Sequence, residues 1–557
     1  MISETDLGTH AIQAYLVTSG DEHQSTEVEA YEKRRQYISG FSGSYGDALI
    51  TLSKAALWTD GRYHLQADEQ IDCNWLLFRE GHRHVPKMSQ WLKEHLPKGG
   101  RIGLNPKLVS EYKWNKLKSE LKGSSLELVA LNVSLIDFIW PNNERSKRQN
   151  KASFVVGIEY TGKSYTTKIN ETRTEMVKLG ADAMVVTSLD EIAWLLNIRG
   201  RDVPFSPFLR SYVILDMRNI FLYVNISQLN DQTKEYLHSG STIVEKDSVI
   251  EGASHAIYEH IFADRRLPRQ SPIIYLKAVK NSVEIKGMQD ANIRDAAAIA
   301  SGEVLTEQDL VQYLDEYRYE QYTSFGNRGT TVVTRTVHFG DPTDDMREAY
   351  TRVLIGMIEL STLTFPSNMK MAVADALARA SLWEIGLDFE QETGHGVGAF
   401  LGTHESPIMV HFDSEISRQQ TFKPGYFLSN APGFYREGDF GVRLENMLEV
   451  VEKAWLKHTS GHTFLGFRTV TFVPFEPKLT KLSLLSTQQR RWLNKYNEDV
   501  RQLVGSELKK QNRMNGFYWM MEKTKYIPEY GHSNIFASNP LLLILSNTAI
   551  LIKTFIF

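Results

Sequence analysis

Two polar stretches, PNNERSKRQN (141–150) and DRRLPRQSP (264–272), most constrain the fold. Neither has an apolar pattern that could face a core, so they read as linkers and cut the chain into three regions. The first two regions are of similar size and alternate strand and helix, which predicts two related α/β domains. IQAYLV (12–17), DALITL (47–52) and AALWTD (55–60) read as strands of the first. In the second, a helix through about 170–179, the strand-and-loop ADAMVVTSLD, the helix EIAWLLNI and a hairpin of SYVILD with IFLYVN follow in turn. Length agrees: 557 residues suggest roughly three or four domains at about 150 residues each.

The third region opens on a long helical pattern, KNSVEIKGMQDANIRDAAAIA. Thr306 is placed to cap a further helix, TEQDLVQYLDEY, with Asp309 in a capping-box-like position. TTVVTRT (330–336) reads as a strand whose one face carries Thr330, Val332, Thr334 and Thr336. One valine on a row of hydroxyls is out of place there. Helices at 343–361 and 370–386, a Gly-rich ETGHGVGAF and two strands around GYFLSNAPGFY and FGVRLENMLEV complete the region.

Composition is that of an ordinary soluble globular chain, 42% apolar and 23% charged. The net charge of −4 with no run of like charge argues against nucleic acid and anionic membranes as partners. Cys73 is the single cysteine, which excludes an intrachain disulfide or a Cys-based zinc cluster and fits a reducing compartment. MISETDLGTHAIQAYLV lacks the basic and apolar blocks of a secretory signal, so the expected location is the cytoplasm. The last residues, PLLLILSNTAILIKTFIF, are apolar but broken by Ser546, Asn547, Thr548 and Lys553, and short against a span of about 20 residues. A weak tail anchor, a docked terminus and sequence foreign to the fold all remain open; the last is favoured.

The chemistry lies in the third region. His395 sits between glycines in GHGVG, His404 and Glu405 follow in THESP, and Arg443 and Glu445 project from GVRLEN. GHGVG lacks the preceding strand and glycine spacing of a dinucleotide loop, so it reads as a tight turn in which only glycine neighbours let the backbone approach. Taken singly, each residue suits a structural role, with Glu445 pairing to Arg443. Together, imidazoles and a carboxylate are proper ligands for zinc, manganese or cobalt. A two-metal hydrolytic site needs several carboxylates to balance the charge.

Nine stretches decide the family: IQAYLVTSGDEHQS, SGFSGSYGDALIT, WTDGRYHLQA, SLDEIAWLLNIRG, AVKNSVEIKGM, TRTVHFG, TGHGVGAFLGTHE, PGFYREGDFGVRLEN and SGHTFLGFRTVTFVPF. The chain resembles the aminopeptidase P (Xaa-Pro aminopeptidase) metallopeptidases, in their long, three-domain cytosolic branch. With the apolar tail, 528–557, lying outside it, the resemblance implies two creatinase-like domains, 1–141 and 150–272, and a pita-bread domain over 273–527. It implies removal of an N-terminal residue that precedes proline, two manganese ions held by two Asp, one His and two Glu, and a homodimer.

Carried over residue by residue, the resemblance puts the metal histidine on His395 and the last glutamate on Glu445. The other glutamate's position holds Ala431, and the second aspartate's holds Val332. The first aspartate has no counterpart, since on the order of 50 residues ahead of Gly329 are missing, more than loop variation explains. Of the substrate-pocket groups, His404 and Arg62 remain, whereas Gln391 replaces a histidine. Three of five ligands are thus lost, so the expectation is no metal or one weakly held ion, and a catalytically inactive homologue kept as a binding or interaction protein. An Xaa-Pro peptide is one candidate ligand, and the simpler reading, Glu445 paired with Arg443 in an empty cleft, is favoured over it. Inactive pita-bread relatives exist, including a histone-chaperone subunit. Two alternatives remain: an active Xaa-Pro metalloaminopeptidase whose sequence here lacks a segment, and a single-metal hydrolase using His395, His404 and Glu445.

Overall fold

A computed structural model describes residues 11–529 except 26, 149, 241, 247–254, 268, 302–328, 458–460 and 462. The capped helix expected at Thr306 and the apolar tail from 530 onward lie outside the described residues.

The first region is a six-stranded mixed sheet in the order Trp75–Arg79, Ala55–Thr59, Asp47–Thr51, Ala14–Val17, Arg101–Leu104, Glu127–Ala130. Ala14–Val17 lies centrally and is buried at all four residues, as expected of a strand covered on both faces. The first polar linker is pinned to this domain. Arg145 is buried, with its guanidinium 3.7 Å from the centroid of the Tyr31 ring and 3.0 Å from Asp137.

The second region has a four-stranded sheet: Ile243–Lys246, Ile220–Val224, Ser211–Asp216, Ala183–Val186. The predicted hairpin pairs antiparallel from Ser211↔Val224 to Leu215↔Ile220. Helix Tyr165–Leu179 starts where Ser164 accepts from the Thr167 N–H and stops at Gly180 in the left-handed region, φ 71°. Helix Leu189–Leu196 is buried almost all round, because the third region packs against it. Lys277 links the two regions, 2.8 Å from Asp190 on one side and 3.1 Å from Glu405 on the other; Lys280 also bonds Glu405.

The third region is a six-stranded antiparallel sheet, Thr364–Pro366, Thr463–Thr469, Asn446–Lys457, Phe427–Asn430, Gly394–Gly396, Glu405–Val410, with helices Ser282–Ser301, Asp344–Thr362, Met371–Trp383, Thr487–Lys510 and Met514–Lys523 around it. The long helices expected over 280–300, 343–361 and 370–386 are all present. Asp344–Thr362 and Met371–Trp383 pack so closely that a Cβ at Gly356 would lie 2.0 Å from the Ala378 carbonyl oxygen.

Two local expectations are corrected. TTVVTRT is extended but, among the described residues, makes one bridge, Thr334↔Glu445, rather than a ladder. Side chains hold it instead: Arg335 donates to the carbonyls of Thr334, Glu445, Val473 and Pro474, to Asn446 Oδ1 and to the Tyr496 hydroxyl. GHG is a strand of the central sheet, not a tight turn. Its glycines answer crowding across the sheet. A Cβ at Gly394 would lie 2.0 Å from the Ser429 carbonyl oxygen, and one at Gly396 would lie 2.2 Å from that of Glu405.

Candidate functional site

His395 is presented by the Gly394–Gly396 strand and is buried. Its peptide N–H donates to Ser429 Oγ at 3.1 Å, and its Nδ1 lies 2.9 Å from the Gly396 carbonyl. Burial holds its basicity below that of an ordinary histidine. The approach to this strand is fixed from below by Asp375, which is fully buried. Asp375 accepts from Arg379, from Thr393 Oγ1 and from the Phe412 N–H at 2.8 Å, while Arg379 donates to the Gln391 carbonyl at 2.7 Å.

His404 lies on His395, ring on ring, with centroids 3.8 Å apart and planes 25° from parallel. Imidazole lone pairs lie in the ring plane, so stacked rings direct them side by side and not toward one ion about 2 Å from each. The surrounding protein and then His395 push His404 down to about 4, so both rings are neutral at pH 7.

Glu445 is buried next to the extended segment. Thr334 Oγ1 donates to its Oε2 at 2.7 Å. Its Oε1 is buried with no hydrogen-bond partner, and Arg443 Nη2 stands 3.7 Å away. The pairing of Arg443 with Glu445 is therefore an ion pair without a hydrogen bond. The Arg443 backbone N–H instead meets Thr336 Oγ1 at 3.0 Å.

The two positions where the resemblance expects further ligands, Val332 and Ala431, are apolar here. Val332 packs with Met288, Val397, Phe427, Met447 and Val470, an apolar cluster. Ala431 is 1% exposed, its side chain a methyl group and its N–H donated to the Thr393 carbonyl at 2.7 Å. The row Thr330, Val332, Thr334 and Thr336 is thus shared out: Thr330 bonds the Leu401 carbonyl, Thr334 bonds Glu445, Thr336 bonds the Arg443 carbonyl, and Val332 packs on the apolar cluster.

Arg62 reaches the site from the first region, held 2.8 Å from Asp60, and that pairing keeps it firmly cationic. Glu392, which the motif reading passed over, is half-buried and acts electrostatically on Arg62, His395 and His404. Gln391 donates to the Tyr435 hydroxyl at 3.0 Å, and burial raises that phenol. Neither residue has a spacing signature; only their flanking of TGH marks them. The structure brings Arg62, His395, His404 and Glu445 together around one cleft, and adds Glu392, Thr334 and Tyr435 to it.

These donors do not fit a pair of metal ions. Among the described residues, no three His, Cys, Asp or Glu side chains converge as a metal-binding group. The orphaned Oε1 of Glu445 is a single carboxylate oxygen where bridging two ions takes several.

Creatinase-type domains leading into a pita-bread sheet define the class; in that sheet His395 is on the strand Gly394–Gly396, and Glu445 directly precedes the strand Asn446–Lys457, two places away. A Creatinase/Prolidase N-terminal domain matches residues 4–134 and again 144–284, Metallopeptidase family M24 matches 290–452, and the C-terminal region of that peptidase matches 463–527. This chain belongs to the Xaa-Pro aminopeptidase family of M24 metallopeptidases. It is 34% identical to Xaa-Pro aminopeptidase 1 of Dictyostelium discoideum, over 94% of this chain and 95% of that one. It is 33% identical to human Xaa-Pro aminopeptidase 2, over 98% and 90%. The Dictyostelium alignment is 598 positions long yet takes up only 94% of a 557-residue chain, so the relative carries residues that face a gap here. The crystal structure of an X-prolyl aminopeptidase from Caenorhabditis elegans, described as a cytosolic enzyme with a di-nuclear active site, superposes with TM-score 0.87 at 29% identity, over 94% of this chain and 97% of that one. No helix among the described residues is long and apolar enough to cross a membrane.

Proposed function

We propose that this protein is an Xaa-Pro aminopeptidase homologue that binds peptide in its cleft without hydrolysing it. The observation that carries this reading is Val332, whose side chain lies in an apolar cluster where the family's second aspartate ligand would stand. Ala431 supports it, since a methyl group offers no electron pair where the family has a glutamate. The relatives are named as aminopeptidases, and their activity rests on a charge set that this cleft lacks. Losing three carboxylates leaves two inner donors, His395 and Glu445, and no means of activating water through metal at neutral pH.

What remains suits a peptide. Glu445 and Glu392 are anionic partners for an N-terminal ammonium, while Arg62 and His404 can meet a downstream carbonyl or carboxylate. Affinity is expected to be weak, because the strongest charge of the family site is missing. The single-metal alternative is disfavoured by the stacking of His395 on His404. The alternative of an active enzyme with a missing segment is answered by sequencing transcripts across 300–330. By resemblance, the protein is a cytoplasmic homodimer, with no nucleic acid among its partners. Incubating it with Xaa-Pro peptides and added manganese tests the proposal: release of the N-terminal residue refutes it.

A further inference from the structure

A cavity of about 230 Å³ opens where all three regions meet, and the peptide cleft does not account for it. Its wall takes His23 and Glu27 from the first region, Asp190, Glu191 and Phe208 from the second, and His404 from the third. His404 is therefore common to this cavity and to the cleft. We propose that the cavity is a subsite for a cationic side chain, a guanidinium or ammonium, carried by a peptide downstream of its proline.

The lining holds three carboxylates and no Lys or Arg. Asp190 is already neutralised by Lys277, 2.8 Å away on the side of the third region, and its carboxylate also answers the N-terminal dipole of helix Leu189–Leu196. Exposed Glu27 is left to face a ligand, together with buried Glu191, whose Oε2 also accepts from Ser271 Oγ. A separate observation points to a hydrogen-bond donor as the occupant. His23 is 5% exposed, stacks on Tyr212 with centroids 4.4 Å apart, and places Nδ1 2.9 Å from the Thr187 carbonyl. Nδ1 is thus the protonated nitrogen, and Nε2 is a lone-pair acceptor, buried with no partner. A buried acceptor left unmade costs free energy that a donor brought within hydrogen-bond reach of it recovers. Burial and the charge of Asp190 hold Glu191 up to about 7, and an arriving cation stabilises its ionised form. Phe208, with the neighbouring Leu189 and Ile274, supplies the apolar wall along which the methylenes of an Arg or Lys side chain lie while its charged end reaches the acceptors.

This inference rests on the peptide-binding reading of the cleft, and the test separates the two. The full chain is titrated calorimetrically with Ala-Pro-Arg-amide and Ala-Pro-Ala-Arg-amide, with their citrulline counterparts, and with agmatine, which carries the guanidinium but no peptide. Citrulline keeps the shape of arginine and removes its charge. We expect at least one arginine peptide to bind about tenfold tighter than its citrulline form. The advantage should vanish in Glu27→Gln/Glu191→Gln and in Ser206→Phe, which fills the cavity. Equal binding of arginine and citrulline peptides overturns the subsite and leaves the cleft reading standing. Agmatine binding that both variants abolish, with no peptide binding at all, keeps the subsite and overturns the cleft reading. Silence from every probe overturns both.

Discussion

The Thr334 hydroxyl donates to Glu445 Oε2 at 2.7 Å, across the one bridge that ties the extended segment to the sheet. A side chain from the extended segment thus satisfies one oxygen of this buried carboxylate and leaves Oε1 without a hydrogen bond. Replacing Thr334 by valine keeps the shape and removes the donor. A charge-assisted bond to a buried carboxylate contributes about 1.5–3 kcal/mol, so Thr334→Val should be destabilised by that order in denaturant unfolding at pH 7. Glu445→Gln should cost less, since it removes the buried charge as well. Wild-type stability in Thr334→Val would show that solvent, not Thr334, satisfies Glu445.

Rebuilding ligands should harm the fold without restoring function. Val332→Asp places a carboxylate among Met288, Phe427, Met447 and Val470, which costs about 3 kcal/mol or more unless it is neutralised. Combined with Ala431→Glu it returns two carboxylates, and the first aspartate is still absent. We expect a lower unfolding midpoint and no Xaa-Pro cleavage. Strong manganese-dependent activity in the double variant would reveal a ligand that the sequence comparison overlooks.

Glu191 gives the fold a pH dependence of known sign. Burial, then Asp190, raise its carboxyl from 4.5 to about 7, so the folded state holds a proton that the unfolded state releases. Its contribution is full below about pH 4.5 and falls away as pH rises to about 7, by on the order of 3 kcal/mol. Glu191→Gln cannot lose that proton. The stability of the variant minus that of wild type should rise from pH 4.5 to 7 and then level off. A flat difference curve would mean that Glu191 is ionised throughout.

Assembly is expected from resemblance and from one surface. On and just after helix Met514–Lys523, Tyr518, Trp519, Met521 and Tyr526 stand 64%, 37%, 40% and 67% exposed, a concentration of large apolar side chains that a second copy can cover. Light scattering at micromolar concentration should report a homodimer. A monomer would contradict it.

Motifs fix position, so TTVVTRT and SNAPGFY made Val332 and Ala431 legible as departures from the family pattern; Ala431 is buried, and Val332 packs half-buried on an apolar cluster. Strand periodicity located the sheets equally well. It failed at TTVVTRT itself, where β-rich sequence meets a single backbone partner and Arg335 does the holding. The GHG glycines were legible as close approach, but not as approach to Ser429 and Glu405 across a sheet. Glu392 could not be found, since nothing separates a cleft carboxylate from a surface one in sequence. The same is true of Asp190 and Lys277, and of the meeting of Lys277 with Glu405 from distant parts of the chain.

The central claim is that this cleft no longer holds the metal pair. Metal content by mass spectrometry and hydrolysis of Xaa-Pro peptides, measured on one preparation loaded with manganese and then desalted, test it most directly. The account predicts manganese well below one equivalent per chain and no release of the N-terminal residue. Two equivalents of manganese, with turnover within about tenfold of an intact relative and abolished by chelator, would contradict it.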